Sequence, residues 1–215
     1  RPSTGQPGSG KSTLLCSMLL SKPTKKKKNI PLFYNSYFDH IYLISPSKHT
    51  LPLEKLNFNE DRIYDSYSDE HLADIISKER EDDNLNNLIV LDDCVRDLKN
   101  TTDLCRCVLN RRHITQNNAK EGKAGLSIII TAQKYKGGVP LYVRLNMSDV
   151  MIFRSENGSE LKSIKDELLG DLSKDEQETL LKTAWESPHD FLYIKTTKPK
   201  KDRYYKNFDK IVFED

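Results

Sequence analysis

The chain has 215 residues, 36% hydrophobic and 31% charged, enough for one ordinary domain with an extension and too few for two full ones. Its 34 basic and 32 acidic residues leave a net charge of +2, so only the distribution of charge, not its sum, can mark a nucleic-acid partner. Apolar runs fall short of the roughly 18 to 20 residues a membrane span needs, no leader pattern is present, and four cysteines are too few for a disulfide scaffold, which predicts a soluble, non-secreted protein with reduced thiols.

Charge is uneven along the chain. Every charged residue through Lys28 is basic, Glu54 to Asp103 is mostly acidic, and basic residues gather again from Lys195 to Lys210. Gly10 to Ser21 reads as a buried helix stopped by Pro23, with the Lys25 to Lys28 run behind it. Phe38 to Ser45 has the β-branched and aromatic content of a strand and ends at Pro46. Ser68 can cap a helix carrying Leu72, Ile75 and Ile76. Leu88 to Leu91 is a continuous apolar run ended by Asp92 and Asp93, the pattern of a strand buried on both faces of a parallel sheet.

A helix then runs from Asp103 to about His113, on the spacing of Leu104, Val108 and Leu109, and strands follow at Leu126 to Thr131 and Val150 to Phe153. Ser173 and Glu176 form a capping box for a helix carrying Leu180, Leu181, Ala184 and Trp185. Phe191 to Ile194 and Ile211 to Phe213 are possible late strands. Strands alternating with helices predict an α/β fold with a mainly parallel sheet flanked by helices, divided into a core of residues 1–154 and a helical, basic extension of the same domain over 155–215. The Asn-x-Ser/Thr sequons at Asn100, Asn146 and Asn157 read as chance.

Gly5-Gln6-Pro7-Gly8-Ser9-Gly10-Lys11-Ser12 fits the phosphate-loop pattern G-x-x-x-x-G-K-[ST] at every specified position and leads straight into a helix. Glycines let backbone N–H groups curl around phosphate oxygens, and the helix N-terminus adds the positive end of its dipole. Gly5, Pro7, Gly8, Ser9, Gly10, Lys11, Ser12 and Thr13 are therefore the candidate phosphate-binding residues. Lys11 would reach the β- and γ-phosphates, the Ser12 hydroxyl would ligate Mg²⁺, and Thr13 would lie beside the α-phosphate. Asp92 would be the second magnesium contact. Asp93 would orient or deprotonate the attacking water, and Gln133, at the end of the Ser127 to Gln133 strand, would read the γ-phosphate with an amide that both donates and accepts.

The phosphate loop, Leu88 to Val95, Asn110 to His113, Ile129 to Tyr135 and Val143 to Asn146 together resemble the poxvirus-type genome-packaging ATPases. These are members of the FtsK/HerA superfamily of P-loop ATPases found in large DNA viruses and virophages. The resemblance covers the chain from Gly5 to about Arg154. It implies the P-loop NTPase fold and an ATP-driven, homo-oligomeric ring that moves double-stranded DNA into a capsid, with a capsid or portal component as partner. It also implies a location at the virus assembly site in the host cytoplasm or in the virion. In such rings an arginine reaches the neighbouring subunit's γ-phosphate, and Arg144 is the first candidate, with Arg111 and Arg112 behind it.

Two departures stand out. The superfamily usually carries Glu where this chain has Asp93. Its first strand precedes the phosphate loop in the middle of the sheet, yet Arg1 to Thr4 span at most about 14 Å, so a truncated first strand is expected. The alternative function is a catalytically inactive or truncated nucleotide- or DNA-binding fragment of such an ATPase. The guanine-reading Asn-Lys-x-Asp of GTPases is absent after the Ile128 to Ile130 strand. Lys25 to Lys28 and the later set Lys195, Lys198, Lys200, Lys201, Arg203, Lys206 and Lys210 could neutralise DNA phosphates or form solvated tails. Cys105 and Cys107 read as helix thiols rather than zinc ligands.

Overall fold

This computed structural model describes residues 2–4, 10–20, 37–51, 53, 58–81, 86–94, 98, 101–110 and 125–213. The sequence predicts a strand at Leu88 to Leu91, and that segment is the hub of the molecule. It lies in strand β4 (Asn86–Asp92), paired in parallel with β2 (His40–Ile44) on one side and β5 (Gly125–Ala132) on the other. Leu88, Ile89, Val90 and Leu91 are each 0 or 1% exposed, which a strand reaches only when both faces of its sheet are covered. Their alternation sorts them. Leu88 and Val90 pack with Leu43, Ile129 and the Leu15, Cys16 and Leu19 side chains of helix α1 (Lys11–Leu20). Ile89 and Leu91 pack on the opposite face with Leu72 and Ile75 of helix α2 (Asp69–Glu81) and Leu104, Cys107 and Val108 of helix α3 (Thr102–Asn110). Each such side chain removed from water contributes about 1.5–3 kcal/mol.

The full sheet among the described residues has nine strands in the order β3-β2-β4-β5-β1-β6-β7-β8-β9. Here β1 is Pro2–Thr4, β3 Ile63–Tyr64, β6 Asp149–Phe153, β7 Phe191–Lys195, β8 Tyr204–Lys206 and β9 Asp209–Lys210. Pairing is parallel from β3 through to β6 and antiparallel from β6 to β9. The short first strand expected from the sequence is three residues long, but it holds the middle of the sheet. Pro2, Ser3 and Thr4 pair with Ile130, Thr131 and Ala132 of β5, and Ser3 and Thr4 pair with Met151 and Ile152 of β6. Proline is tolerated there because it is the first residue of the strand.

Two helices have no counterpart among the predicted elements. Helix α4 (Leu141–Arg144) is a single turn after Pro140. Helix α5 (Gly158–Leu168) is capped by Asn157, whose side chain accepts from the N–H groups of Ser159 and Glu160, and it buries Ile164 and Ser163. The sequon at Asn157 is thus part of a helix start. The Ile211 to Phe213 strand is not formed; the last strand is β9, reached from β8 through a tight turn in which Asn207 takes a φ of 53°. Among the described residues no helix is long and apolar enough to cross a membrane.

Helix α6 (Lys174–Ala184) starts at the predicted capping box: Ser173 Oγ accepts from the Glu176 N–H at 3.3 Å, and Glu176 Oε2 accepts from the Ser173 N–H at 2.7 Å. Lys200 Nζ donates to the other Glu176 oxygen at 2.6 Å. Lys200 first, and the Ser173 backbone after it, hold the Glu176 carboxyl down to about 2 from its usual 4.5. A depressed carboxyl stabilises the fold above its unfolded value and loses that contribution as the group is protonated. The melting temperatures of the native protein and Glu176→Gln are therefore expected to differ at pH 7 and to converge as pH falls from 4.5 toward 2, as followed by thermal unfolding. A constant difference across that range would contradict the assignment.

Candidate active site

In a parallel sheet the carboxyl ends of the strands share one edge, where loops and helix N-termini meet and ligands bind. Gly10, Lys11, Ser12 and Thr13 follow β1 at that edge, Asp92 ends β4 with Asp93 next after it, and Thr131 lies one residue from the end of β5 with Gln133 just beyond. All of them line one cavity of ≈ 670 Å³. Gly10 has a φ of 99°, a left-handed value that glycine adopts without a Cβ penalty. Its carbonyl accepts from Leu14 N–H at 2.8 Å, which opens helix α1. The helix carries no acid in its first turn, so the unsatisfied N–H groups there are not neutralised by the chain's own carboxylates. Lys11 is half-buried: burial lowers its ammonium below the usual 10.5, opposed by the charges of Asp93, Asp92 and Glu160.

Successive residues of a strand point to opposite faces, so two consecutive acids in one cavity require a break in the extended chain. The break is at Asp93, with a φ of 55°. Asp92 keeps its strand position and is 3% exposed. One of its oxygens accepts from the Thr131 hydroxyl and the other from the Ser45 hydroxyl at 3.2 Å. Ser45 Oγ in turn accepts from the Ser47 N–H at 3.2 Å. Asp93 is exposed to the cavity; its N–H donates to Thr131 Oγ1 at 3.1 Å, and Gln133 Nε2 donates to both of its carboxylate oxygens at 3.1 Å. One acid is thus buried and fixed, and its neighbour is presented.

No protein-family model matches the sequence, and no curated protein matches it. Solved structures do. The genome packaging NTPase B204 from Sulfolobus turreted icosahedral virus 2, in complex with AMPPCP, matches with a TM-score of 0.64 at 14% identity, over 98% of this chain and 97% of its own. B204, the DNA-packaging ATPase from Sulfolobus turreted icosahedral virus, gives 0.64 at 15% identity over 97% and 96%. This chain has the fold of a viral genome-packaging NTPase. EssC (ATPases 2 and 3) from Geobacillus thermodenitrificans shares that fold with a TM-score of 0.60 at 17% identity, over 97% of this chain and 39% of the EssC chain.

Within this packaging-NTPase fold, the described candidates Gly10, Lys11, Ser12, Thr13, Asp92, Asp93 and Gln133 come together at one cavity. Gly5, Pro7, Gly8 and Ser9 lie outside the described residues, as do Arg111, Arg112, His113 and Lys25 to Lys28. Arg144 is placed elsewhere. Its guanidinium pairs with Glu167 of α5, its Nε donates to the Val139 carbonyl at 3.2 Å, and it stacks 5.3 Å from the centre of the Tyr135 ring. The side chain is only 10% exposed, so reaching a neighbouring subunit would require breaking that pair.

The structure adds residues the sequence does not single out. Thr131 and Ser45 hold Asp92. Glu160 feels Lys11 and accepts from the Tyr135 N–H at 2.8 Å and from the Ser155 hydroxyl at 3.0 Å. Leu14, Ser17, Ser47, Phe153, His189 and Phe191 complete the cavity wall. A hydroxyl at the end of the neighbouring strand, in register with Asp92, is the one local signal that could have found Thr131.

The late basic set is largely spoken for. Lys200 pairs with Glu176 at 2.6 Å, Arg203 with Asp171 at 2.8 Å, Lys210 with Asp202 at 2.6 Å, and Lys206 with Glu186 and Asp190. Lys195 sits 4.5 Å from the centre of the Tyr205 ring. The Lys200 and Arg203 pairs tie this segment to α6 and to the turn before it, the Lys206 pairs tie β8 to the turn before β7, and the Lys210 pair stays within the segment. Cys107 is buried, which pushes its thiol up to about 12, and Cys105 is half-buried on the same helix, as inert helix thiols would be.

Proposed function

We propose that this chain is a P-loop ATPase that couples ATP hydrolysis to the movement of double-stranded DNA into a viral capsid. The observation that carries the reading is the convergence of Lys11 and Ser12, at the start of α1, with Asp92, Asp93 and Gln133 around one cavity. A cation at a helix N-terminus facing two carboxylates suits a triphosphate accompanied by a divalent ion. The shared fold supports it, since the similar structures are those of a genome packaging NTPase in complex with AMPPCP and a DNA-packaging ATPase.

In this reading Lys11, the Gly5 to Ser9 loop and the α1 N-terminus bind and orient the triphosphate, with Thr13 beside the α-phosphate. Ser12 and Asp92 would hold Mg²⁺. One hydroxyl and one carboxylate fit an ion that takes few protein oxygens and keeps phosphate oxygens and water for the rest, and when bound it neutralises charge on the phosphates. Asp93 takes the proton of the attacking water, and Gln133 fixes its carboxylate while facing the γ-phosphate. The subunits form a ring on DNA, with a capsid or portal component as partner. Arg144 would complete a neighbour's site on release from Glu167, with Arg111 and Arg112 as the other candidates.

Steady-state ATP hydrolysis with and without double-stranded DNA tests the reading. Turnover stimulated by DNA is the expected result. Tight ATP binding without turnover, in a folded preparation that assembles on DNA, would establish a non-catalytic binding fragment instead.

A further inference from the structure

We propose that the base of the bound nucleoside triphosphate docks on the imidazole of His189, above an apolar floor formed by Phe153 and Phe191. The inference rests on the reading of the cavity as a triphosphate site and concerns the end of it that no phosphate chemistry explains. The cavity lies across six neighbouring strands, in the order β2-β4-β5-β1-β6-β7. Lys11 and Ser12 stand above β1, and the acids with Gln133 stand on the β4 and β5 side of it. With strands about 4.8 Å apart, β4 and β7 are about 19 Å from each other. A triphosphate whose γ-end lies toward Asp93 therefore directs its nucleoside over β6 and β7.

The lining changes character there. Phe153 ends β6 and Phe191 begins β7, paired with each other across the ladder with ring centres 5.4 Å apart. They line the cavity yet are only 3 and 5% exposed, so they form a closed apolar floor. His189 is exposed above them, with Nδ1 3.7 Å from where a Cβ on Gly10 would stand, which puts the ring beside the phosphate loop. A flat, largely apolar group fits between such walls, and a phosphate does not.

The turn that carries the ring is fixed in advance of any ligand. His189 takes a φ of 68°, a left-handed conformation that histidine tolerates better than most residues but that persists only where the surroundings impose it. Asp190 N–H donates to the Ser187 carbonyl at 3.2 Å, the Ser187 N–H donates to Asp190 Oδ2 at 3.0 Å, and Asn207 Nδ2 donates to Asp190 Oδ1 at 2.8 Å. The turn is thereby pinned to the β8–β9 hairpin.

Calorimetric titration of the full chain with AMPPCP and with inorganic tripolyphosphate, each with Mg²⁺, tests this. Base stacking on an aromatic ring supports about a tenfold difference in affinity, so the native chain is expected to bind AMPPCP about tenfold tighter than tripolyphosphate. His189→Asn keeps a residue suited to the left-handed backbone and removes the ring. It should weaken AMPPCP about tenfold and leave tripolyphosphate unchanged, which also reports an intact phosphate cradle. His189→Phe should restore AMPPCP binding. The proposal is overturned if His189→Asn binds AMPPCP as the native chain does, if it weakens both ligands equally, or if His189→Phe fails to restore binding. A native chain that binds neither ligand would overturn the triphosphate reading itself, and this one with it.

Discussion

Lys11→Ala is expected to reduce ATP hydrolysis about 10²- to 10³-fold, the usual consequence of deleting a fixed donor aimed at charge on the reacting group. Lys11 is the first residue of α1, where alanine is a better helix former, so the helix should survive the change. The deficit belongs to the phosphates: the variant removes the fixed ammonium that faces them and leaves only the metal ion to offset their charge. Turnover within tenfold of the native rate, in a folded preparation, would remove Lys11 from the mechanism. The same substitution has a signature in the absence of nucleotide. Burial lowers the folded-state pKa of Lys11 below 10.5, so between that lowered value and 10.5 the unfolded chain binds more protons than the folded one. Native stability should rise with pH through that window, and Lys11→Ala should erase this component of the rise.

Asp93→Asn should lower kcat about 10²- to 10⁴-fold, the range for loss of a general base, with AMPPCP affinity little changed. Asparagine has nearly the same shape and tolerates a φ of 55° as well as aspartate does, so the turn after β4 is kept and only the proton acceptor is lost. The separation of kcat from binding is the readout that matters. If both fall together, Asp93 holds the ligand and does not act as the base.

Some of this was legible in the sequence because single residues carried it. Four apolar residues ended by two acids have the pattern of a doubly covered strand, and β4 is one. Gly10 just ahead of a helix that opens with Lys11 and Ser12 placed the cation, and Ser173 with Glu176 marked the start of α6 to the residue. Elsewhere the information is not local. Helix α5 is different: Leu161, Ile164 and Leu168 fall at helical spacing and pack on the core, and Asn157 and Glu160 carry the start signal, so local signals could have found it. Strand order is set by which faces pack together, so the antiparallel run from β7 to β9 has no signature in its own residues. The clustering of late lysines and Arg203 suggested a DNA-facing or solvated cationic segment; their acid partners lie between 8 and 32 positions away, and only the folded chain brings them together. His189 belongs to a plain Ser-Pro-His-Asp turn, and its relation to Gly10 exists only because β6 and β7 are neighbours.

The left-handed backbone of Asp93 has a consequence for how the molecule balances its requirements. Folding alone would prefer glycine there, because glycine occupies that conformation at no steric cost and carries no anion to crowd Asp92. A side chain at this position therefore marks a compromise between robustness and turnover: the turn is made slightly less durable so that a second carboxylate can face the cavity. Stabilising screens run on this protein without an activity filter should drift toward glycine at that one site, and every such winner would be a sturdier but silent machine.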